Sequence, residues 1–214
     1  MKILLVIVRS KVKKMFRETI LSIFEDIWPM LFICLVIIVS LRIVYLIKNK
    51  IKFIFYKEMI MLGFIIYVMA LFRVVTFQDV SWSSSNFIPF EEMFRYEFGT
   101  KLFYKNVVGN MLMFVPYGFF IAYFLKTKKP WLVLLLTTLV SITIEITQLL
   151  IGRVFDVDDI ILNIVGGLLG YVLYYLFVKI KSKIGLLQKQ YIYNIIMVLI
   201  LVLIFLYLQG VFYV

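Results

Sequence analysis

Six apolar stretches, at residues 28–47, 59–75, 106–125, 131–151, 160–178 and 191–207, each run for about 17 to 21 residues. At about 1.5 Å of rise per residue, each is long enough, or nearly so, to cross a hydrocarbon layer of about 30 Å. Backbone amides in lipid must be satisfied within the chain, which leaves helices or a closed barrel, and stretches of this length are helices. Few residues remain between them, so a sizeable soluble domain is excluded. The expectation is an all-α integral membrane helical bundle of about six hydrophobic spans.

Four parts follow along the chain. Residues 1–27 begin with a short apolar run and continue with Arg9, Lys11, Lys13, Lys14 and Arg17. That run is too short to span, and no small-residue cleavage site follows, so a basic interfacial segment is expected rather than a signal peptide. Residues 28–57 supply an extra N-terminal span, anchored by Trp28, and a basic loop. Residues 58–178 hold four spans, and residues 179–214 a loop and the last span.

The net charge of +11 does not indicate nucleic acid in a chain that is 64% hydrophobic. Its lysines and arginines sit in short loops, where membrane topology and anionic lipid head groups account for them. Loops 48–57, 126–130 and 179–190 are densely basic and expected in the cytoplasm, while 76–105 and 152–159 carry more acids and are expected outside. This alternates correctly for spans two to six. The basic amino terminus would then lie outside, against the rule, unless span 28–47 is re-entrant; the sequence leaves both open. Cys34 is the single cysteine, so no intrachain disulfide exists, and histidine is absent. That removes Ser-His and Cys-His nucleophiles and His-ligated zinc.

Polar residues interrupt the spans in a pattern. Thr138, Ser141, Glu145, Gln148 and Gly152 follow steps of three and four, which places them on one helix face. Asn106, Gly109, Asn110, Met113 and Tyr117 do the same on the preceding span, as do Asp159, Asn163, Gly166 and Gly170 on the next. Glu145, Asn110 and Asn163 fall at matching depth, roughly 5 to 9 Å below the outward boundary. One shared cluster on the extracellular side is the expectation, with Asn86, Asn106, Asn110, Glu145, Gln148, Arg153, Asp156, Asp159 and Asn163 as binding residues. Glu145, Asp159 and Asp156 are the candidates for any acid–base role. Ordinary readings stand beside these: Asp158 or Asp159 capping the fifth span, Asn163, Gly166 and Gly170 packing helices closely, Thr138 and Ser141 bonding back to their own helix. Glu145 has Arg153 as its nearest counter-charge in sequence. No metal or cofactor is expected, since Asp156, Asp158 and Asp159 lack an EF-hand spacing. In the long loop, residues 86–90 should form an ordered turn, with Glu91, Glu92 and Glu97 on a solvated helix face. NVVGNML (106–112) and NIVGGLL (163–169) are similar, through either a parallel repeat or shared packing needs.

Four pieces in order, NFIPF (86–90), NVVGNMLMFVPYG (106–118), EITQ (145–148) and GRVFDVDDIILNIVGGLLG (152–170), resemble the VanZ-like family of small bacterial membrane proteins. The resemblance covers about residues 59–178, which makes residues 58–178 a VanZ-like membrane domain. It implies a multi-pass protein of the bacterial plasma membrane. It also implies a part in glycopeptide resistance of the teicoplanin type, through access to an antibiotic or a cell-wall precursor at the outer face. In the family Asp158 looks variable.

Two functions fit. The first is a non-enzymatic protein that binds or shields a lipid-linked cell-wall precursor, or the acyl tail of a lipoglycopeptide, with membrane lipids as its surroundings. The alternative is an intramembrane enzyme acting on a lipid or polyprenyl-linked substrate through Glu145 and Asp159. The missing histidine and the lack of a nucleophile motif favour the first.

Overall fold

The computed structural model describes Glu25, residues 28–76 and residues 85–212. Of the expected basic segment 1–27, all but Glu25 lies outside these residues, as does 77–84 of the long loop. The chain forms two compact units, Met1–Gln78 and Asp79–Val214.

In the first unit, α1 (Trp28–Lys48) and α2 (Phe55–Thr76) are continuous helices of 21 and 22 residues, both apolar enough to cross a membrane. The turn between them is set by the end of α1. Ile51 N donates to Leu46 O at 3.0 Å and Lys50 N to Ile47 O at 3.2 Å. Lys50, at φ 51°, takes the left-handed position usually given to glycine. Arg42 and Glu58, one on each helix, pair through Nε–Oε2 at 2.8 Å and Nη2–Oε1 at 3.0 Å. Two charges inside spans thus satisfy each other in a planar fork.

The second unit contains α3 (Glu91–Arg95), α4 (Lys101–Leu125), α5 (Pro130–Leu150), α6 (Val157–Lys183) and α7 (Gln190–Phe212). A π-helical turn, Tyr104–Val108, lies inside α4. Pro130 opens α5 at a position where its missing amide costs nothing. Gly152, at φ 82°, closes α5, with Arg153 N donating to Gln148 O at 2.9 Å. α6 runs past its apolar stretch through Lys179 and Lys181, and the Lys181 ammonium lies over the Tyr193 ring at 4.8 Å.

Glycines set the packing. A Cβ on Gly166 would stand 2.0 Å from Met111 O, and one on Gly170 2.1 Å from Val115 O. The offset along the chain is the same in both contacts, so α4 and α6 run parallel at backbone contact. A Cβ on Gly167 would stand 2.5 Å from Thr137 Oγ1, while Asn163 bonds Ser141. Here the residue numbers sum to a constant, so α5 is antiparallel to α6. Alternating traverse of spans three, four and five is therefore built into the contacts. The resemblance of 106–112 to 163–169 reduces to sequence: Gly166 meets the neighbouring helix, whereas a Cβ on Gly109 would meet only Tyr104 O of its own. Among the described residues six helices are long and apolar enough to span, and none forms a strand beyond one isolated bridge, Asn86 with Asp156. Exposed apolar residues such as Leu139, Leu150 and Leu203 are the surface such helices present to lipid.

Candidate functional site

Where α5 ends and α6 begins, a connected set of polar groups ties both helices to the segment before α3. The buried polar face of α5 is Thr137, Ser141, Glu145 and Gln148. Its start is shifted by one from the expected Thr138, because Thr137 is the residue that fills the space left by Gly167.

Glu145 is 1% exposed. Its Oε2 accepts from the Asp156 backbone amide at 3.0 Å. With the Gln148 amide oriented as its two neighbours require, its nitrogen donates to Oε1 at 3.0 Å and its oxygen accepts from Arg153 Nη1 at 2.9 Å. Arg153, expected as the counter-charge of Glu145, therefore reaches it through an amide.

Asp156 is the N-cap of α6, and its Oδ1 accepts from Asp158 N at 2.9 Å. Capping by Asp158 or Asp159 was the sequence expectation; the cap lies two residues earlier. The same oxygen accepts from Asn86 Nδ2 at 2.9 Å. Burial pushes the Asp156 carboxyl above its ordinary range, against the pull of these two hydrogen bonds.

Asn86 is held on every polar group. Its N donates to Phe155 O at 2.8 Å, its O accepts from Val157 N at 3.1 Å, and its Oδ1 accepts from Ile88 N at 3.0 Å in an Asx turn. Ser85 Oγ accepts from Phe155 N at 3.1 Å, and the Phe87 ring stacks on Phe155 at 5.3 Å. The ordered turn expected at 86–90 is thus present.

Asp158, also 1% exposed, fixes the far end of this strap. Its Oδ1 accepts from Phe90 N and its Oδ2 from Met93 N at 2.9 Å. These amides belong to the first turn of α3, which has no side-chain cap of its own. A carboxylate on α6 thus satisfies the orphan donors of a separate helix. Sequence reasoning left Asp158 out of the site; the one local signal was a helix opening after Phe90, a residue that cannot cap. Phe90 itself sits at φ 70°, an outlier for a bulky side chain, held there by its bond to Asp158.

The remaining candidates form separate pairs. Asn110 Nδ2 donates to Asp159 Oδ1, and Asn106 shares a side-chain hydrogen bond with Tyr96. Asn163 Nδ2 donates to Ser141 Oγ at 2.9 Å, and Asn163 Oδ1 is buried without a partner. Ser141 therefore bonds across helices; Thr143 and Thr147 are the residues of α5 that bond back to their own helix. Five of the nine candidates, Asn86, Glu145, Gln148, Arg153 and Asp156, make one continuous chain of bonds.

Chemically the set is a clamp. Both oxygens of Glu145 and of Asp158 accept bonds that fix backbone or side chain. Among the described residues no group of three or more His, Cys, Asp or Glu is placed to hold a metal ion. What the clamp presents is largely apolar: Phe87, Ile88, Phe90 and Phe94 are exposed along the strap and α3, beside Glu91 and Arg95, and Phe98 just beyond.

Comparison with curated proteins and with solved structures gives no match. The family model for VanZ/LLP1 matches residues 59–178, more than half of the chain, covering most of α2, all of α3 to α5, and α6 as far as Val178. With six membrane-crossing helices around that match, the chain is a multi-pass membrane protein belonging to the VanZ/LLP1 family.

Proposed function

We propose that this protein works at the outer face of the bacterial plasma membrane as a non-catalytic binding or shielding protein. Its target would be a lipid-linked cell-wall precursor or the acyl tail of a lipoglycopeptide, and the outcome a contribution to glycopeptide resistance of the teicoplanin type. One observation carries this reading. The polar groups of the cluster hold residues 85–95, and the large apolar side chains left exposed there and just beyond are mostly aromatic, with Phe94 and Phe98 both 82% exposed. Rings at the depth of the lipid head groups suit an acyl or polyprenyl chain. Loops 126–130 and 179–190 support the orientation, since they lie at the other ends of α4, α5 and α6.

The alternative, an enzyme using Glu145 and Asp159 on a lipid or polyprenyl-linked substrate, needs carboxylate oxygens free for a substrate proton. Glu145 has both oxygens engaged and Asp159 has one bonded to Asn110. That favours the binding reading.

The test is teicoplanin susceptibility of cells carrying the wild type or Phe94→Ser/Phe98→Ser at equal membrane levels. Wild type should raise the inhibitory concentration and the double variant should return it to the host's value. An unchanged value in the double variant, or no effect of the wild type, overturns the proposal.

A further inference from the structure

The first unit carries an apolar groove of its own. At the end of α1 and the turn after it, Ile43, Leu46, Ile47, Lys50, Ile51 and Phe53 line a groove of about 360 Å³. Five of the six are apolar, and the sixth is a lysine at the rim. Lys50 is held there by its left-handed backbone, φ 51°, a conformation in which glycine would cost less. The turn thus places the backbone of one lysine at an apolar trough.

The charge around it is one-sided. Lys48, Lys52 and Lys57 flank Lys50, and Glu58 is the one acid between residues 28 and 76. Glu58 is buried and takes both bonds of the Arg42 fork, so its charge is spent. One lysine on an apolar groove, with three more close in sequence, on the side that the lysine distribution assigns to the cytoplasm, complements an anion that carries a hydrocarbon chain.

We infer that the α1–α2 turn is a binding site for an anionic phospholipid, with its phosphate on Lys50 and the neighbouring lysines and an acyl chain in the groove. The site involves no residue of the strap, so it stands or falls independently of the function proposed above.

Delipidated full-length protein in detergent, titrated with phosphatidylglycerol or phosphatidylcholine and read by native mass spectrometry, tests it. Phosphatidylglycerol should bind at least about tenfold more tightly. Lys50→Gly relieves the backbone conformation and so keeps the fold, yet should lose much of that preference; Lys50→Gln/Lys52→Gln should abolish it. Ile43→Trp, which fills the groove, should weaken phosphatidylglycerol while inorganic phosphate at millimolar concentration should not displace it. Equal binding of the two lipids, a preference that survives in both lysine variants, or displacement by phosphate alone would overturn the assignment.

Discussion

Replacing Asp158 by Ala should free α3 without releasing the rest of the strap. Two backbone amides, Phe90 N and Met93 N, lose charged acceptors. Hydrogen bonds to charged groups are worth about 1.5 to 3 kcal/mol each, so the gross loss is about 3 to 6 kcal/mol. Removing the carboxylate also removes the cost of burying it, which returns roughly a third of that sum. A net loss of about 2 to 4 kcal/mol in local opening corresponds to about 30- to 1000-fold faster exchange of those two amides. Hydrogen exchange by mass spectrometry on the purified protein reads this. The amide of Asn86, which donates to Phe155 O rather than to Asp158, should keep its protection and serves as the internal control. Wild-type exchange at Phe90 and Met93, or equal loss at Asn86, would refute the view that Asp158 holds α3 locally.

Gly166→Ala and Gly170→Ala place a methyl about 2 Å from a carbonyl oxygen and should abolish the folded state, whereas Gly63→Ala meets nothing within 4 Å and should be neutral or slightly stabilising by thermal denaturation in detergent. Arg42→Met and Glu58→Met should each destabilise by about 3 kcal/mol, because each strands a charge, while the double variant should recover most of the loss; equal single and double losses would contradict a paired role. Phe90→Gly removes a left-handed backbone strain of about 1 kcal/mol, so it should raise the melting temperature while reducing resistance. For Asp156, whose folded pKa is raised by burial, the sign is opposite to that of a salt-bridged acid. The folded strap binds the proton more tightly than the released one, so protection at Asn86, corrected for intrinsic exchange, should be full near the ordinary carboxyl pKa and fall as pH rises through the raised value. Protection that rises over that window would show the carboxylate to be favoured instead.

The spans were legible because length and apolarity decide them, and the face of α5 because its steps of three and four fall at one angle. The period misplaced only Thr138, where the space beside Gly167, a feature of another helix, chose Thr137 instead. What was not legible was pairing over distance. Asp158 reaches back 65 residues to Met93, and no spacing rule links an acid at a helix start to amides of a different helix. Glu58 with Arg42 fails for the same reason: each reads as a stray charge near a span end until the turn brings them together. Gln148 illustrates a third gap, since its role between Glu145 and Arg153 depends on three side chains meeting at once.

These long-range bonds change what loss of function would mean at the acidic positions. A segment at the edge of a bilayer must satisfy its amides without much water, and a carboxylate offers acceptors that no apolar residue can. Glu145, Asp156 and Asp158 supply them for the backbone amides of residues 90, 93, 156 and 158 and for the side-chain amide of Asn86. Variants at Glu145 and Asp156 should therefore lose activity and membrane level together, as a strap that comes undone is degraded. Variants at Phe94 and Phe98 touch none of these bonds and should lose activity at full level. Plotting resistance against membrane abundance across both sets separates the two mechanisms. Acidic variants that stay abundant yet inactive would return Glu145 to the reacting centre and refute the clamp.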